Sequence, residues 1–195
     1  MTKTRKRTYI VVVGKMLSGK ETVFAIIQEE LKAKKSVHIH RFSDVLNDML
    51  ALLYKKRTRK NLQTLSTVLR APTAFGEGVL GNVVHRRAKR TKADVIVFDG
   101  ARRPHDIAIL GGLGNVVILA VTAPLDVRFA RARKRRRPGE QAKTREEFVR
   151  EDRGEPELLI ETIAKRANYT IENTGTREEL RKKVRAFLKN ALRFA

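Results

Sequence analysis

The stretch Gly14-Lys15-Met16-Leu17-Ser18-Gly19-Lys20-Glu21-Thr22 decides the fold of this 195-residue chain. Its spacing is G-x-x-x-x-G-K, with a β-favouring run before it at residues 9–13 and an amphipathic helical pattern after it at residues 20–34. Glycines let a loop curl so that several backbone N–H groups face one anion, and a helix that begins near Lys20 adds the positive end of its dipole. The pattern therefore predicts a phosphate-binding loop, with Lys20 as its charged side chain.

The residue after the lysine departs from the usual form of this loop. Glu21 stands where a Ser or Thr hydroxyl normally binds Mg²⁺, and Thr22 follows one position later. Glu21 either holds metal-bound water or is a solvent-facing residue that the helix dipole favours. The predicted nucleotide-binding residues of this loop are Gly14, Ser18, Gly19, Lys20, Glu21 and Thr22.

Outside the loop, short β-rich runs alternate with amphipathic helical patterns. The further β-rich runs are at 37–41, 95–98, 116–121 and 169–171, and the helical patterns are at 43–54, 61–69, 78–90, 104–110, 125–133, 145–153, 158–167 and from 176 onwards. This alternation predicts an α/β fold of three layers, a five-stranded parallel sheet with helices on both faces. The length suits a single domain over residues 1–195. Capping boxes at Thr144/Glu147 and Thr176/Glu179 predict two helix starts.

Composition limits the classes of protein. The chain has no cysteine, which excludes disulfides and thiolate metal sites. No apolar run approaches the roughly 18 residues of a membrane span, and the apolar stretch behind the basic residues 1–7 is too short for a signal peptide. We therefore expect a cytoplasmic, monomeric protein with no membrane partner.

The net charge of +22 is extreme. Lysine and arginine cluster at residues 3–7, 55–60, 86–92, 128–137 and 181–185. Such a surface attracts polyanions, either nucleotides or nucleic acid, or it is simply a solvated basic surface. Aromatic content is low and tryptophan is absent, so stacking platforms for single strands are not indicated.

The run at 95–98 ends in Asp99 and Gly100. An acid at the carboxyl end of a strand beside the phosphate loop is well placed for Mg²⁺ or its water shell, although an ordinary Asp-Gly turn has the same sequence. Arg102 and Arg103 follow, and a guanidinium at this edge can bind a phosphate through two parallel hydrogen bonds. Asp99 and Thr22 are the predicted metal ligands.

The basic tract at 128–137 begins on a predicted helix, where Arg128 and Arg131 are neighbours three residues apart. Three hypotheses remain open for it. It is a lid over ATP whose arginines stabilise the transferring phosphoryl group, a nucleic-acid-binding patch, or a solvated loop.

Taken together, these motifs resemble the P-loop nucleotide kinases of the nucleoside monophosphate kinase and dephospho-CoA kinase group, over nearly the whole chain. Residues 14–22 are similar to their phosphate loop, and a lysine–acid–threonine version is similar to that of deoxynucleoside monophosphate kinases. The resemblance implies ATP and Mg²⁺, and a nucleotide-type acceptor: a nucleoside or deoxynucleoside monophosphate, or dephospho-CoA.

The resemblance also implies roles for particular residues. Thr58-Arg59-x-x-Leu62-Gln63 and Arg70 resemble acceptor-binding helices (about residues 43–92), Asp99-Gly100-Ala101-Arg102 the catalytic segment, residues 128–147 the lid, and residues 172–176 the loop beside adenine. The implied catalytic residues are Lys20, Asp99, Arg102 and Arg131; the further nucleotide contacts are Arg128, Asn173 and Gly175; the acceptor contacts are Asp44, Arg59, Arg70 and Arg102. Residues 172–176 are equally well explained as a capped helix start.

Some positions depart from this group. Phe42-Ser43-Asp44 replaces the Asp-Ala-Asp-like stretch of dephospho-CoA kinases, and Leu17 replaces a common loop glycine. Two other hypotheses therefore stand beside a nucleotide kinase. One is a nucleotide-binding protein that acts on RNA or DNA, and the other is a scaffold that keeps the fold without turnover.

Overall fold

The computed structural model describes residues 7–135 and 144–193. Its five strands are β1 (Thr8–Val13), β2 (Val37–Arg41), β3 (Val95–Asp99), β4 (Val116–Thr122) and β5 (Tyr169–Glu172). They form one parallel sheet in the order β2-β3-β1-β4-β5. All six residues of β1 are buried, as expected for the central strand of a sheet that is covered on both faces. The predicted five-stranded parallel sheet is confirmed.

Helices fill the connections between strands, as predicted. They are α1 (Lys20–Leu31), α2 (Phe42–Leu52), α3 (Arg59–Arg70), α4 (Val79–Arg90), α5 (Pro104–Gly111), α6 (Leu125–Lys134), α7 (Arg145–Asp152), α8 (Glu155–Ala164) and α9 (Arg177–Ala191). The largest differences are that α1 ends three residues before the predicted end and that α8 both begins and ends three residues earlier than predicted. The acidic first turn of α8 favours the earlier start, because carboxylates are stabilised at a helix N-terminus.

Two hydrophobic cores lie on opposite faces of the sheet. Alternate β1 residues divide between them, because successive side chains of a strand point to opposite faces. Ile10 and Val12 pack with α1 and α9 in one core, while Val11 and Val13 pack with α2, α4, α5 and α8 in the other. The helices therefore cover both faces, which confirms the three layers.

Both predicted capping boxes are present. The Thr144 hydroxyl accepts a hydrogen bond from the Glu147 N–H at 3.2 Å, and the Thr176 hydroxyl accepts one from the Glu179 N–H at 3.2 Å. Of the predicted lid, residues 136–143 lie outside the described residues. Within the described ranges, no helix has both the length and the apolar character needed to cross a membrane.

The strand order sets the position of the site. The connection that leaves β1 runs to β2 on one side, and the connection that leaves the neighbouring β4 runs to β5 on the other. Ligands of open α/β sheets bind at such a switch point, outside the carboxyl ends of the strands. Residues 14–19 lie at this edge.

His40 on β2 makes stability dependent on pH. Its Nε2 lies 2.8 Å from the Thr91 hydroxyl and its ring stacks on Phe98. Burial, with smaller contributions from the charges of His38 and Arg87, lowers the pKa of His40 from 6.5 to about 4. Because the fold disfavours the protonated ring, this stabilisation is fully present above pH 6.5 and is lost as the pH falls towards 4.

We expect the free energy of unfolding that His40 contributes to fall by about 2 kcal/mol between pH 7 and pH 4. Urea unfolding of the wild type and of His40→Gln over this pH range measures the effect. The difference between their free energies of unfolding should shrink as the pH falls. His105→Gln, at an exposed position on α5 away from His40, is the matched control and should keep the wild-type slope. A difference between wild type and His40→Gln that does not change with pH would contradict the prediction.

Candidate functional site

The loop at residues 14–19 joins β1 to α1 and has the geometry of an anion cradle. Gly19, at the helix N-cap, has a left-handed backbone (φ 103°) and leaves the first turn of α1 without a side-chain cap. The N–H groups of that turn are therefore available to a ligand. Leu17 also has a left-handed backbone (φ 63°), a conformation that favours glycine. Gly14 is needed because a Cβ there would collide with the Val121 carbonyl of β4.

Lys20 folds back across this loop. Its Nζ donates to the carbonyl oxygens of Gly14 at 2.5 Å and Lys15 at 3.2 Å. Burial lowers the pKa of Lys20, and the charge of Asp99 opposes that shift. The buried hydroxyl of Ser18 has no hydrogen-bond partner among the described residues. The loop therefore combines a cation, free helix N–H groups and an unused hydroxyl, a set of groups that fits a polyphosphate.

Asp99 ends β3 beside the loop, in register with Val12 of β1. Burial raises the pKa of Asp99, and the charge of Lys20 works against this. The Nε of Arg41 lies 3.6 Å from Asp99 Oδ2, and its Nη2 lies 3.3 Å from Glu21 Oε2. Arg41 was missed in the sequence, although it ends β2 as Asp99 ends β3.

No group of three or more acidic, His or Cys side chains that could hold a metal is present in residues 7–135 and 144–193. Mg²⁺ needs no such cage, because it is commonly bound by one or two carboxylates together with substrate phosphates and water. Asp99 is a suitable carboxylate. Thr22 lies partly exposed in the first turn of α1, and Glu21 is exposed and paired with Arg41. The solvent-facing interpretation of Glu21 agrees with this placement.

Two of the predicted arginines are held in buried ion pairs. Arg128 binds Asp152 through Nη1 at 2.5 Å and Nη2 at 3.1 Å, and its Nε donates to the Ala123 carbonyl. Arg70 binds both carboxylate oxygens of Asp106 at 3.0 Å. A phosphate would have to displace a buried carboxylate to reach either side chain. The proposed contacts of Arg128 with the nucleotide and of Arg70 with the acceptor therefore stay predictions.

Two other predicted arginines are accessible and lie near the loop. Arg59 Nη1 is 3.4 Å from the Met16 sulfur and 3.0 Å from Glu151, with 43 % of its side chain exposed. Arg102 Nη1 is 3.2 Å from Glu157, with 53 % of its side chain exposed. The structure thus brings together the phosphate loop, Arg59 and Arg102, and leaves both guanidinium groups able to reach a ligand.

Arg131 and Asn173 contact the carbonyl side of the phosphate loop. Arg131 Nη1 donates to the carbonyls of Leu17 at 3.1 Å and Ser18 at 3.2 Å, and its Nη2 donates to the Asn173 carbonyl at 2.8 Å. Asn173 Nδ2 also donates to Ser18 O at 2.8 Å. A Cβ on Gly19 would collide with this amide. These two side chains therefore support the shape of the loop, and direct contact with the nucleotide stays a prediction.

Two further predicted residues lie at the same edge of the sheet. Asp44 is in the first turn of α2, which begins directly after β2. Gly175 precedes α9, where a Cβ would collide with the Glu179 carboxylate that caps the helix. The capped helix start is therefore present, and the contact with adenine stays a prediction.

Carboxylates from α7 and α8 contact the loop, and the sequence did not single them out. Lys15 Nζ is 3.1 Å from Asp152 and 2.5 Å from Glu161, while Glu157 accepts a hydrogen bond from the Met16 N–H at 3.1 Å. Burial by itself would raise the pKa of Asp152, but hydrogen bonds from Arg128 and Lys15 outweigh it and lower the pKa. In the sequence, these acids follow the pattern of charged residues on the solvated face of a helix, so nothing local distinguishes them as contacts of the loop.

No family model matches the chain. The chain is 28% identical over 183 residues to a UPF0200 protein of Sulfurisphaera tokodaii, covering 94% of this chain and 97% of that one. It is also 28% identical over 173 residues to a UPF0200 protein of Staphylothermus marinus, covering 89% and 87%.

Solved structures share the fold. The crystal structure of TT1252 from Thermus thermophilus aligns with TM-score 0.61 and 20% identity over 95% of this chain and 98% of that one. A shikimate kinase from Acinetobacter baumannii in complex with shikimate aligns with TM-score 0.55 and 20% identity, covering 95% and 96%. A shikimate kinase from Bacteroides thetaiotaomicron gives TM-score 0.57, 20% identity, and coverage of 93% and 97%. The predicted α/β fold is thereby confirmed. Sequence identities this low do not show which acceptor the protein uses.

Proposed function

We propose that this protein is an ATP-dependent phosphotransferase that acts on a nucleotide-type acceptor. The observation that carries the proposal is the meeting of three groups at one sheet edge: the loop at residues 14–19, the folded-back cation of Lys20, and the carboxylate of Asp99 on the adjoining strand. Phosphoryl transfer depends mainly on positioning and on stabilising charge, and these groups supply both.

ATP supplies the phosphoryl group in this proposal. The helix N–H groups, the Ser18 hydroxyl and Lys20 hold its phosphates. Asp99, with Thr22, holds Mg²⁺, which when bound neutralises charge on the phosphate oxygens. Arg131 acts by holding the carbonyl side of the loop in place, through the Leu17 and Ser18 carbonyls.

A phosphate-bearing acceptor fits the two accessible arginines. Arg59 lies on α3 and Arg102 lies three residues after β3. Arg59 pairs with Glu151 and Arg102 with Glu157, but each guanidinium also has an exposed side at which an acceptor phosphate can bind while these contacts stay in place. Asp44 lies at the same sheet edge as a partner for acceptor hydroxyl or amino groups. This arrangement favours a nucleotide over an acceptor that lacks phosphate.

The test is an acceptor panel with ATP and Mg²⁺: nucleoside and deoxynucleoside monophosphates, dephospho-CoA and shikimate. We expect acceptor-dependent ADP formation with at least one nucleotide and a phosphorylated product by mass spectrometry. Transfer to shikimate alone would overturn the nucleotide-type acceptor. Tight ATP binding without transfer to any of them would favour a scaffold without turnover.

A second candidate function, binding of single-stranded nucleic acid, is favoured by one surface. All ten residues of 51–60 are exposed, and Tyr54 is 97% exposed. Five of the six residues at 55–60 are lysine or arginine. An exposed aromatic ring beside a dense positive charge is the combination that single-strand binding uses.

We expect the affinity for a single-stranded RNA to fall steeply with salt, and replacement of Lys55, Lys56 and Arg57 by alanine to reduce the slope of log K against log salt by about 2. Fluorescence anisotropy between low and moderate salt measures it. The matched control replaces Lys32, Lys34 and Lys35, which follow the end of α1, and should leave the slope unchanged. Equal slopes for all three proteins would remove this candidate function.

A further inference from the structure

Glu157 is a buried carboxylate between the phosphate loop and Arg102. Only 4 % of its side chain is exposed. Its Oε2 accepts the Met16 N–H at 3.1 Å, and its Oε1 accepts Arg102 Nη1 at 3.2 Å. One side chain from the first turn of α8 therefore connects the backbone of the phosphate loop with an arginine that follows β3.

Burial of this carboxylate needs compensation, because removing an ionised group from water costs several kcal/mol unless it is paired. The two hydrogen bonds and the N-terminal turn of α8 provide that compensation. The Glu157 carboxylate is thus held by the phosphate loop on one side and by Arg102 on the other. The bridge cannot release Arg102 without leaving a buried acceptor oxygen unsatisfied.

Among residues 7–135 and 144–193, Glu157 is the side chain that anchors the Arg102 guanidinium. The backbone N–H of Arg102 donates to Asp106 at 3.3 Å, which fixes the main chain, and Gly100 just before it has a left-handed backbone (φ 87°). With 53 % of its side chain exposed, the guanidinium would otherwise sample many rotamers. The contact with Glu157 selects the rotamers that lie beside the loop.

We propose that Glu157 is a positioning residue that sets the distance between Arg102 and the phosphate loop, and hence between the acceptor phosphate and the phosphoryl donor. The inference rests on the proposed function. In-line transfer needs both substrates placed closely, and a misplacement of about 1 Å costs about 100-fold in rate. The Glu157 bridge ties the two binding elements to one rigid helix turn.

The variant Glu157→Gln keeps the volume and one carbonyl oxygen for the Met16 N–H, but it presents an amide N–H₂ to Arg102 in place of the carboxylate. We expect the acceptor KM to rise about 10-fold and the ATP KM to change less than about 2-fold, since only the acceptor side is released. Glu30→Gln is the matched control, because it breaks the ion pairs with Arg181 and Arg185 at the far end of α1. It should leave both KM values unchanged.

A double-mutant cycle with Arg102→Ala separates positioning from a general structural role. In the Arg102→Ala background, Glu157→Gln should change the acceptor KM less than about 2-fold, because no guanidinium remains to be placed. Thermal melting checks that each variant is folded. An unchanged acceptor KM in Glu157→Gln, or the same fold-change in both backgrounds, would overturn the inference while the proposed function stands. A wild type that transfers to no acceptor would overturn the proposed function and this inference together.

Discussion

Lys20→Ala should reduce kcat/KM for phosphoryl transfer by about 1,000-fold or more, the largest kinetic effect expected from one substitution here. The ammonium lies inside the loop, in hydrogen-bond contact with the Gly14 and Lys15 carbonyls. In a site largely removed from water, a charge that faces the transferred phosphate is worth several kcal/mol, and alanine supplies none of it.

The same substitution should leave the fold intact. Burial lowers the pKa of Lys20, so the folded protein tolerates the charged form at a cost, and removing it should not lower the melting temperature. Steady-state kinetics on the preferred acceptor and thermal melting measure the two effects. Lys32→Ala, an exposed lysine just after the same helix, is the control for loss of positive charge. A Lys20→Ala protein that keeps a tenth of the wild-type rate would count against the proposed role of the loop.

Asp106→Ala should lower the free energy of unfolding by about 3–5 kcal/mol. Asp106 is fully buried and receives two hydrogen bonds from Arg70, and it also accepts the backbone N–H groups of Arg102 and Arg103. Its removal leaves the Arg70 guanidinium charged and unpaired in the interior. That penalty exceeds the worth of the ion pair itself.

Urea unfolding measures this effect, with Asp48→Ala as the matched control. Asp48 pairs with Arg87 at 2.7 Å on the surface, where both side chains are at least 40% exposed, so its loss should cost under about 1 kcal/mol. Replacing Arg70 by Met together with Asp106→Ala should recover part of the lost stability, because no unpaired charge is left. Equal losses of unfolding free energy for Asp106→Ala and Asp48→Ala would show that breaking the buried pair costs no more than breaking the surface pair.

The sheet and the loop could be predicted because their signals are local. A hydrophobic run such as that of β3 (Val95–Asp99) predicts a buried strand in a small α/β protein. The spacing from Gly14 to Lys20 specifies the turn between a strand and a helix. The position of Asp99 could be predicted for the same reason. It ends a hydrophobic run, and the end of a parallel strand lies at the edge of the sheet where ligands bind. Arg41 obeys that rule as well and could have been found by applying it to β2.

The sequence by itself determined the architecture, the phosphate loop and the acid on the neighbouring strand, because each depends on residues that are close together in the chain. Only the tertiary structure decided which arginines are accessible. Arg70 and Arg128 look the same as Arg59 and Arg102 in the sequence, but Asp106 and Asp152 bury the first two in ion pairs. Glu157 reaches Arg102 across 55 residues and Met16 across 141, and no local pattern records such a contact. Side-chain partners are set by how helices pack on the sheet, and that packing is a property of the whole chain.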